Sequence, residues 1–162
     1  MTHYDRIKET IIKQTDKHLP PSFNRYGCRV MCLLAIPQIV LGESISALGI
    51  QSILLHSLED PDIVGDDWAA GVKEHWFINE GFKRLGSSRL GRQVGWTEEQ
   101  VISTEWEYMI VHWKTDGPDG HFTLFDRRQE EIYDPHDPFQ AGYKVNKKSI
   151  LKRLVYRTWE VQ

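Results

Sequence analysis

The sequence predicts an α+β fold: a helical N-terminal half around one buried helix, packed on a C-terminal antiparallel sheet. Three observations predict it. Apolar residues recur at helical spacing as far as Leu85. The period changes to two from Ser103 onward, and the Gly86-Ser87-Ser88 break lies between the two regimes. Runs of helix followed by runs of strand are the pattern of segregated α+β domains.

Taken in order, Tyr4 to Lys17 reads as an amphipathic helix, with Ile7, Ile11 and Ile12 on the apolar stripe and Lys8, Glu9, Lys13 and Lys17 toward water. Leu19-Pro20-Pro21 ends it, because proline lacks the N–H and restricts its predecessor, and Ser22 to Gly27 then reads as loop. Cys28 to about Ile36 is apolar nearly all round, which marks a central buried helix that Pro37 kinks or closes. A polar-faced helix follows Leu41-Gly42-Glu43, breaks near Ala47 to Ile50 and continues from Ile50 to Leu58. Glu59-Asp60-Pro61-Asp62 is a stop. Val64 to Trp68 reads as a turn or short strand, Ala70 to Leu85 as a further helix, and Gly91 to Gln100 as loop.

In the second half, Trp106, Tyr108, Ile110, His112 and Lys114 alternate with Glu105, Glu107, Met109, Val111 and Trp113, giving a strand of two faces. Thr115 to Gly120 has hairpin composition. His121 to Asp126 returns as a strand, Glu131 to Tyr133 forms a short third, and Asp134-Pro135 breaks it. Ile150 to Val161 supplies the last strand.

The 162 residues suit a single domain, 1–162, and 40% apolar with 11% aromatic content supports a packed core. Core packing is the first expectation for the six tryptophans. The formal charge of −3, without a block of like charges, gives no footprint for nucleic acid. The apolar run from Val30 to Leu41 is too short to span a bilayer, and Met1 to Lys8 has no apolar signal region. The expectation is a cytoplasmic protein acting on a peptide or protein, with no membrane or nucleic-acid partner and no cofactor.

Cys28 and Cys32 share one helix face, about 6 Å apart at Cα and poorly oriented for a disulfide. One pair alone is no zinc framework. One reactive and one structural thiol is the economical reading, and it fits reducing conditions. His112, Asp116, His136 and Asp137 are conceivable metal ligands, but only the local Asp134-Pro135-His136-Asp137 cluster is suggestive, and an aspartate-capped turn explains it more cheaply than a metal. His56 and His75 fall on helical stretches, outside any cluster.

A thiol at a helix start gains from free N–H groups and from the helix dipole. Cys28 has that place. His121 opens a strand and would serve as the imidazole, and Asp134 at the end of the next strand would orient it. Taken singly, these are a core thiol, a strand-end histidine and a turn aspartate. Their order in the chain makes a Cys-His-Asp site the sharper reading.

Cysteine at the start of a central helix, then Gly120-His121-Phe122-Thr123, then Tyr133-Asp134-Pro135, resembles the papain-like cysteine peptidases. The resemblance is closest to the C39-type branch and to small C39-like proteins of spirochaetes. It covers most of the chain in layout, but in motif only these short stretches. It implies a papain-like fold in which Cys28 is nucleophile, His121 general base and acid, and Asp134 the orienting acid of peptide or amide hydrolysis. The chain departs from the pattern at the nucleophile, with Gly27-Cys28-Arg29 in place of Asp-Cys-Gly. It also lacks the family's glutamine several residues before the cysteine, so Asn24 is the nearest amide for an oxyanion, if it is not simply a loop cap. Cys32 is the rival nucleophile. A cell-wall amide is an alternative substrate, and a non-catalytic, phage-associated or binding protein on the same fold an alternative role.

Overall fold

The computed structural model describes residues 10–65, 73–97, 106–115, 120–136 and 145–161. Among them are four helices: α1 (Pro21–Tyr26), α2 (Cys28–Leu41), α3 (Ala47–Leu58) and α4 (Glu74–Arg84). Five strands follow: β1 (Leu90–Thr97), β2 (Tyr108–Thr115), β3 (His121–Asp126), β4 (Glu131–Tyr133) and β5 (Val145–Trp159). They form one antiparallel sheet in the order β1-β5-β2-β3-β4. The architecture is α+β with helices first, as the change of period predicts.

The centre is α2. Every residue from Cys28 to Ile39 is buried, including Arg29 and Gln38. Each leucine, isoleucine or valine buried there contributes about 1.5–3 kcal/mol, so the helix is held by its surroundings rather than by propensity. Pro37 lies inside the helix and does not end it. The stop comes at Gly42, whose left-handed φ of 65° suits glycine and whose N–H closes on Gln38 and Ile39. Gln38 secures this end, its Nε2 donating to Leu34 O and its Oε1 accepting from the Ile45 N–H. Downstream, Ser46 caps α3 through Oγ.

One sheet face packs on the helices through Ile110, Leu124, Leu154 and Tyr156. The other carries a second cluster of Trp106, Met109, Val111, Trp113 and Val155. The alternation along β2 therefore has the expected phase from Tyr108 onward, although Trp106 precedes the strand and joins the second cluster. Trp113 is core on that face, as expected, and its Nε1 donates to Thr123 Oγ1.

Four expectations need correction. The N-terminal helix is not formed over 10–20, where turns dock by the Gln14 N–H on Pro135 O; its first part lies outside the described residues. Ser22 to Gly27 is not loop, because Pro21 at the first helical position starts α1. The polar-faced helix after Leu41 and its continuation are one helix, α3, preceded by extended chain. Gly91 to Gln100 was expected as loop, but Leu90–Thr97 is an edge strand; Gly91 and Gly95 with Arg92 and Gln93 hide its alternation. The expected hairpin loop at 116–119, Trp68 and Ala70 to Val72 lie outside the described residues. No helix among the described residues is long and apolar enough to cross a membrane.

Gly81 is where α4 meets α2. A Cβ there would lie 2.4 Å from Pro37 Cγ, in a ring that cannot swing aside. We expect Gly81→Ala to destabilise by about 1–3 kcal/mol, overriding the ~1 kcal/mol that alanine normally gains in a helix. Chemical denaturation reads this as a lowered midpoint; an unchanged or raised midpoint would refute the close contact.

Candidate active site

His121 begins β3 directly after Gly120. A side chain at 120 is excluded, since a Cβ would lie 1.9 Å from His112 Nε2. The His121 side chain is fully buried, and its Nε2 bonds Asp134 Oδ1 at 2.7 Å. The carboxylate accepts, so Nε2 carries the proton, and the neutral ring presents a lone pair at Nδ1. That Nδ1 is buried and has no hydrogen-bond partner among the described residues.

Several contacts fix Asp134. Its Oδ1 also accepts the His136 N–H at 2.9 Å, closing a turn around Pro135. The Lys13 Nζ donates to Asp134 O at 2.5 Å, and Tyr133 Oη donates to Ile12 O at 2.8 Å. The turns at 10–20 thus brace the aspartate from outside. The His136 ring stacks on His121, with centroids 4.0 Å apart and planes at 28°. The imidazole is held on one edge by a carboxylate and on one face by a second imidazole.

Cys28 is the first residue of α2, whose N-terminus has no side-chain cap. Burial pushes its thiol up to about 11, against the backbone N–H groups of Phe122, Arg29 and Cys28 itself, which pull it down; the Asp134 charge pushes it up further. The two groups at the helix start are orphan donors of the first turn, and they aim at the sulfur. Burial outweighs them, so at neutral pH the thiol is protonated. Cys32 is wholly buried one turn on, with Sγ donating to Phe122 O at 3.5 Å and its acidity suppressed by burial and then by Cys28. Both thiols are free.

The structure therefore joins His121 and Asp134 directly. It sets Cys28 against the backbone of Phe122, the residue after His121, without a hydrogen bond from the thiol to Nδ1. Asn24 does not face an oxyanion. Its Nδ2 donates to Gln14 O at 2.6 Å and Asp16 O at 3.0 Å, so both hydrogens are used in capping the preceding turns. The sequence reading missed Gln14, which is 1% exposed, donates from Nε2 to Asn24 O and leaves Oε1 unpartnered. It lies ten residues before Asn24, too distant for a local motif to reveal. His136 was weighed only as a metal ligand; the turn-forming Asp134-Pro135-His136 run was the signal for its place beside His121. No group of three or more metal-ligating side chains occurs among the described residues, and Asp116 and Asp137 lie outside them. His56 and His75 are exposed on α3 and α4.

A buried network fixes the residue after the cysteine. Arg29 is paired with Glu74 of α4, which also accepts from the Tyr156 hydroxyl of β5. The start of α2 is in this way tied to both α4 and β5. Comparison with family models, with curated proteins and with solved structures returns no match.

The two flanking histidines predict an acid limb to stability. Burial lowers His112 to about 4, helped by the Lys152, Arg29 and His121 charges, and burial then His121 lowers His136 to about 4. The unfolded chain takes up these protons near its ordinary value of 6.5 and the folded chain does not. Their contribution is thus complete above pH 6.5 and is lost progressively as the pH falls toward 4. Denaturant midpoints should fall across that window, and His112→Phe, which keeps the ring, should flatten the fall; identical pH slopes in variant and wild type would contradict the assignment.

Proposed function

We propose that the chain is a thiol-dependent hydrolase of peptide or amide bonds, with Cys28 as nucleophile, His121 as base and acid, and Asp134 as orienting carboxylate, in a papain-like arrangement. The observation that carries the reading is the His121–Asp134 pair at 2.7 Å, which leaves the opposite ring nitrogen buried and unpartnered. An orphaned acceptor of this kind costs about 1–3 kcal/mol. A thiol proton is the group that would relieve it, and Cys28 stands at the neighbouring residue.

In this mechanism the Cys28 S–H proton passes to His121 Nδ1 as sulfur bonds to the carbonyl carbon. The carbonyl oxygen becomes the oxyanion, and the backbone N–H groups at the start of α2 are its natural donors. Collapse breaks the C–N bond, and His121 returns the proton to the leaving amine. Water then attacks the thioester, His121 takes its proton, and cleavage of the S–C bond regenerates the thiol and a carboxylic acid. A sulfur at about 11 is no resting thiolate, so proton transfer accompanies attack and no ion pair is stored beforehand.

A second reading, a binding protein that keeps the fold without catalysis, is favoured by one observation: Cys28 is 6% exposed and His121 fully buried. A cell-wall amide remains an alternative substrate within the hydrolase reading.

On a library of peptides and amides, with peptidoglycan zymography in parallel, Cys28→Ala should abolish turnover and His121→Ala should lower kcat by at least ~100-fold. Equal turnover in Cys28→Ala and wild type would remove the hydrolase reading and leave the binding one. With active protein, a normal solvent deuterium isotope effect on acylation is expected from the neutral thiol; its absence would mean that a thiolate exists before attack.

A further inference from the structure

Beside Cys28 the helix-facing side of the sheet carries an unusual set of charges. Lys152 of β5, His112 of β2 and Phe122 of β3 are direct neighbours across three strands. The His112 ring stacks on Phe122, with centroids 4.1 Å apart and planes at 8°. The Arg29 guanidinium lies 5.9 Å from the centre of the same Phe122 ring. All this surrounds the residue whose main chain meets the Cys28 sulfur.

Among the described residues the set has one carboxylate, Glu74, and both its oxygens are engaged, one by Arg29 and the other by Tyr156. Among the described residues no carboxylate pairs with Lys152. Lys152 therefore lies near the Arg29–Glu74 pair without a carboxylate of its own among the described residues, in a chain whose overall charge is −3, so this is not part of a generally basic surface. A half-buried ammonium beside a guanidinium is unfavourable on its own, and its proton is held less tightly through burial and then through Arg29. Lys152, His112 and Phe122 all remain partly open to solvent, so a ligand can reach them.

We propose that Lys152 and Arg29, with His112 as a neutral hydrogen-bonding neighbour, form an anion subsite beside Cys28 that takes a carboxylate of the substrate. The chemistry is shared by an acidic side chain and a chain terminus. A carboxylate gains a charge-assisted bond from Lys152 and balances the excess cation that the fold leaves there. The proposal rests on Cys28 being the reacting centre, and it names the class of substrate that centre would accept.

The first test does not need turnover. Cys28 is alkylated with iodoacetate, which is anionic, and with iodoacetamide, which is neutral, and the ratio of rates is compared with that of free cysteine. At about pH 9 enough thiolate exists for both reactions. Wild type should favour iodoacetate several-fold over the free-thiol ratio, and the preference should weaken with salt as screening grows. Lys152→Met should lose it and Lys152→Arg should keep it. A ratio unchanged in Lys152→Met overturns the subsite.

The second test uses the full chain carrying Cys28→Ala, with calorimetry on blocked peptides differing as Glu against Gln, and on peptides with a free or an amidated C-terminus. Tighter binding of the Glu peptide assigns a side-chain carboxylate, and tighter binding of the free-terminus peptide assigns the chain end. Equal or absent binding of all four overturns the subsite. If Cys28→Ala and wild type turn over alike while the carboxylate preference persists, the hydrolase reading falls and the subsite stands. Turnover with no carboxylate preference has the opposite meaning.

Discussion

Burial of α2 on every side is the constraint from which the rest of the structure follows. A helix with no polar face has no stable place at a surface, so the sheet must cover one side and α1 and α4 the others. That enclosure carries a consequence for its first turn. The orphan N–H groups of a buried helix start cannot be satisfied by bulk water, and no side chain caps them here. The Cys28 sulfur and the Phe122 peptide occupy that place. Phe122 offers its N–H toward Cys28 and its carbonyl to Cys32, so a single residue of β3 joins the sheet to two turns of α2. The position of β3, and with it of His121, is fixed by the same contact that seats the thiol.

Much of this was legible because it depends on composition and period. The all-round apolar run announced α2, and strict alternation announced β2 with its two faces. His121 and Asp134 could be placed because a strand start and a proline-fixed strand end are local features, and the 2.7 Å bond between them joins two sequence-marked points. What was not legible depends on tertiary context. β1 has glycines and charged residues where an edge strand tolerates them, and only pairing with β5 makes it a strand. Ile11 and Ile12 have helical spacing with Tyr4 and Ile7, yet the segment from Thr10 onward is turned by its docking on the 133–136 corner. Asn24 had the right distance in sequence for an oxyanion donor, but its amide is satisfied within that docked segment. Gln14 meets the 133–136 corner only through this long-range contact, and that corner carries the His136 ring that stacks on His121.

The buried Arg29–Glu74–Tyr156 network clarifies why arginine follows the cysteine. A buried ion pair is a weak source of stability, because desolvation offsets most of the attraction. Its geometry is nonetheless demanding, and removing one partner strands the other. Glu74 is the first residue of α4, where the helix N-terminus also favours a negative charge, and Tyr156 is buried at the centre of the sheet. The arginine therefore ties the start of α2 to α4 and, through Glu74, to Tyr156 of β5. Glycine at that place would leave Glu74 unpaired in the interior.

The same enclosure decides the electrostatic state of the site. Separating charge between a buried thiol and a buried imidazole means placing both a thiolate and an imidazolium in a medium that solvates neither well. Three backbone donors at the sulfur and a carboxylate at the ring favour the separated state, yet burial wins at the sulfur, which rests near 11. The thiol is thus neutral at rest, and the thiolate lies above it by an amount that the local field controls. Asp134 acts in both directions: it would stabilise an imidazolium at His121 through the 2.7 Å bond, and it opposes the thiolate through space. In the reaction proposed for this site, charge would separate as a reacting carbon accepts the sulfur electrons, and the oxyanion would then replace the thiolate as the anion facing the helix start. A thiol buried this deeply is held neutral, so the proposed reaction would make the thiolate transiently, in the act of bond formation, and would keep none in reserve.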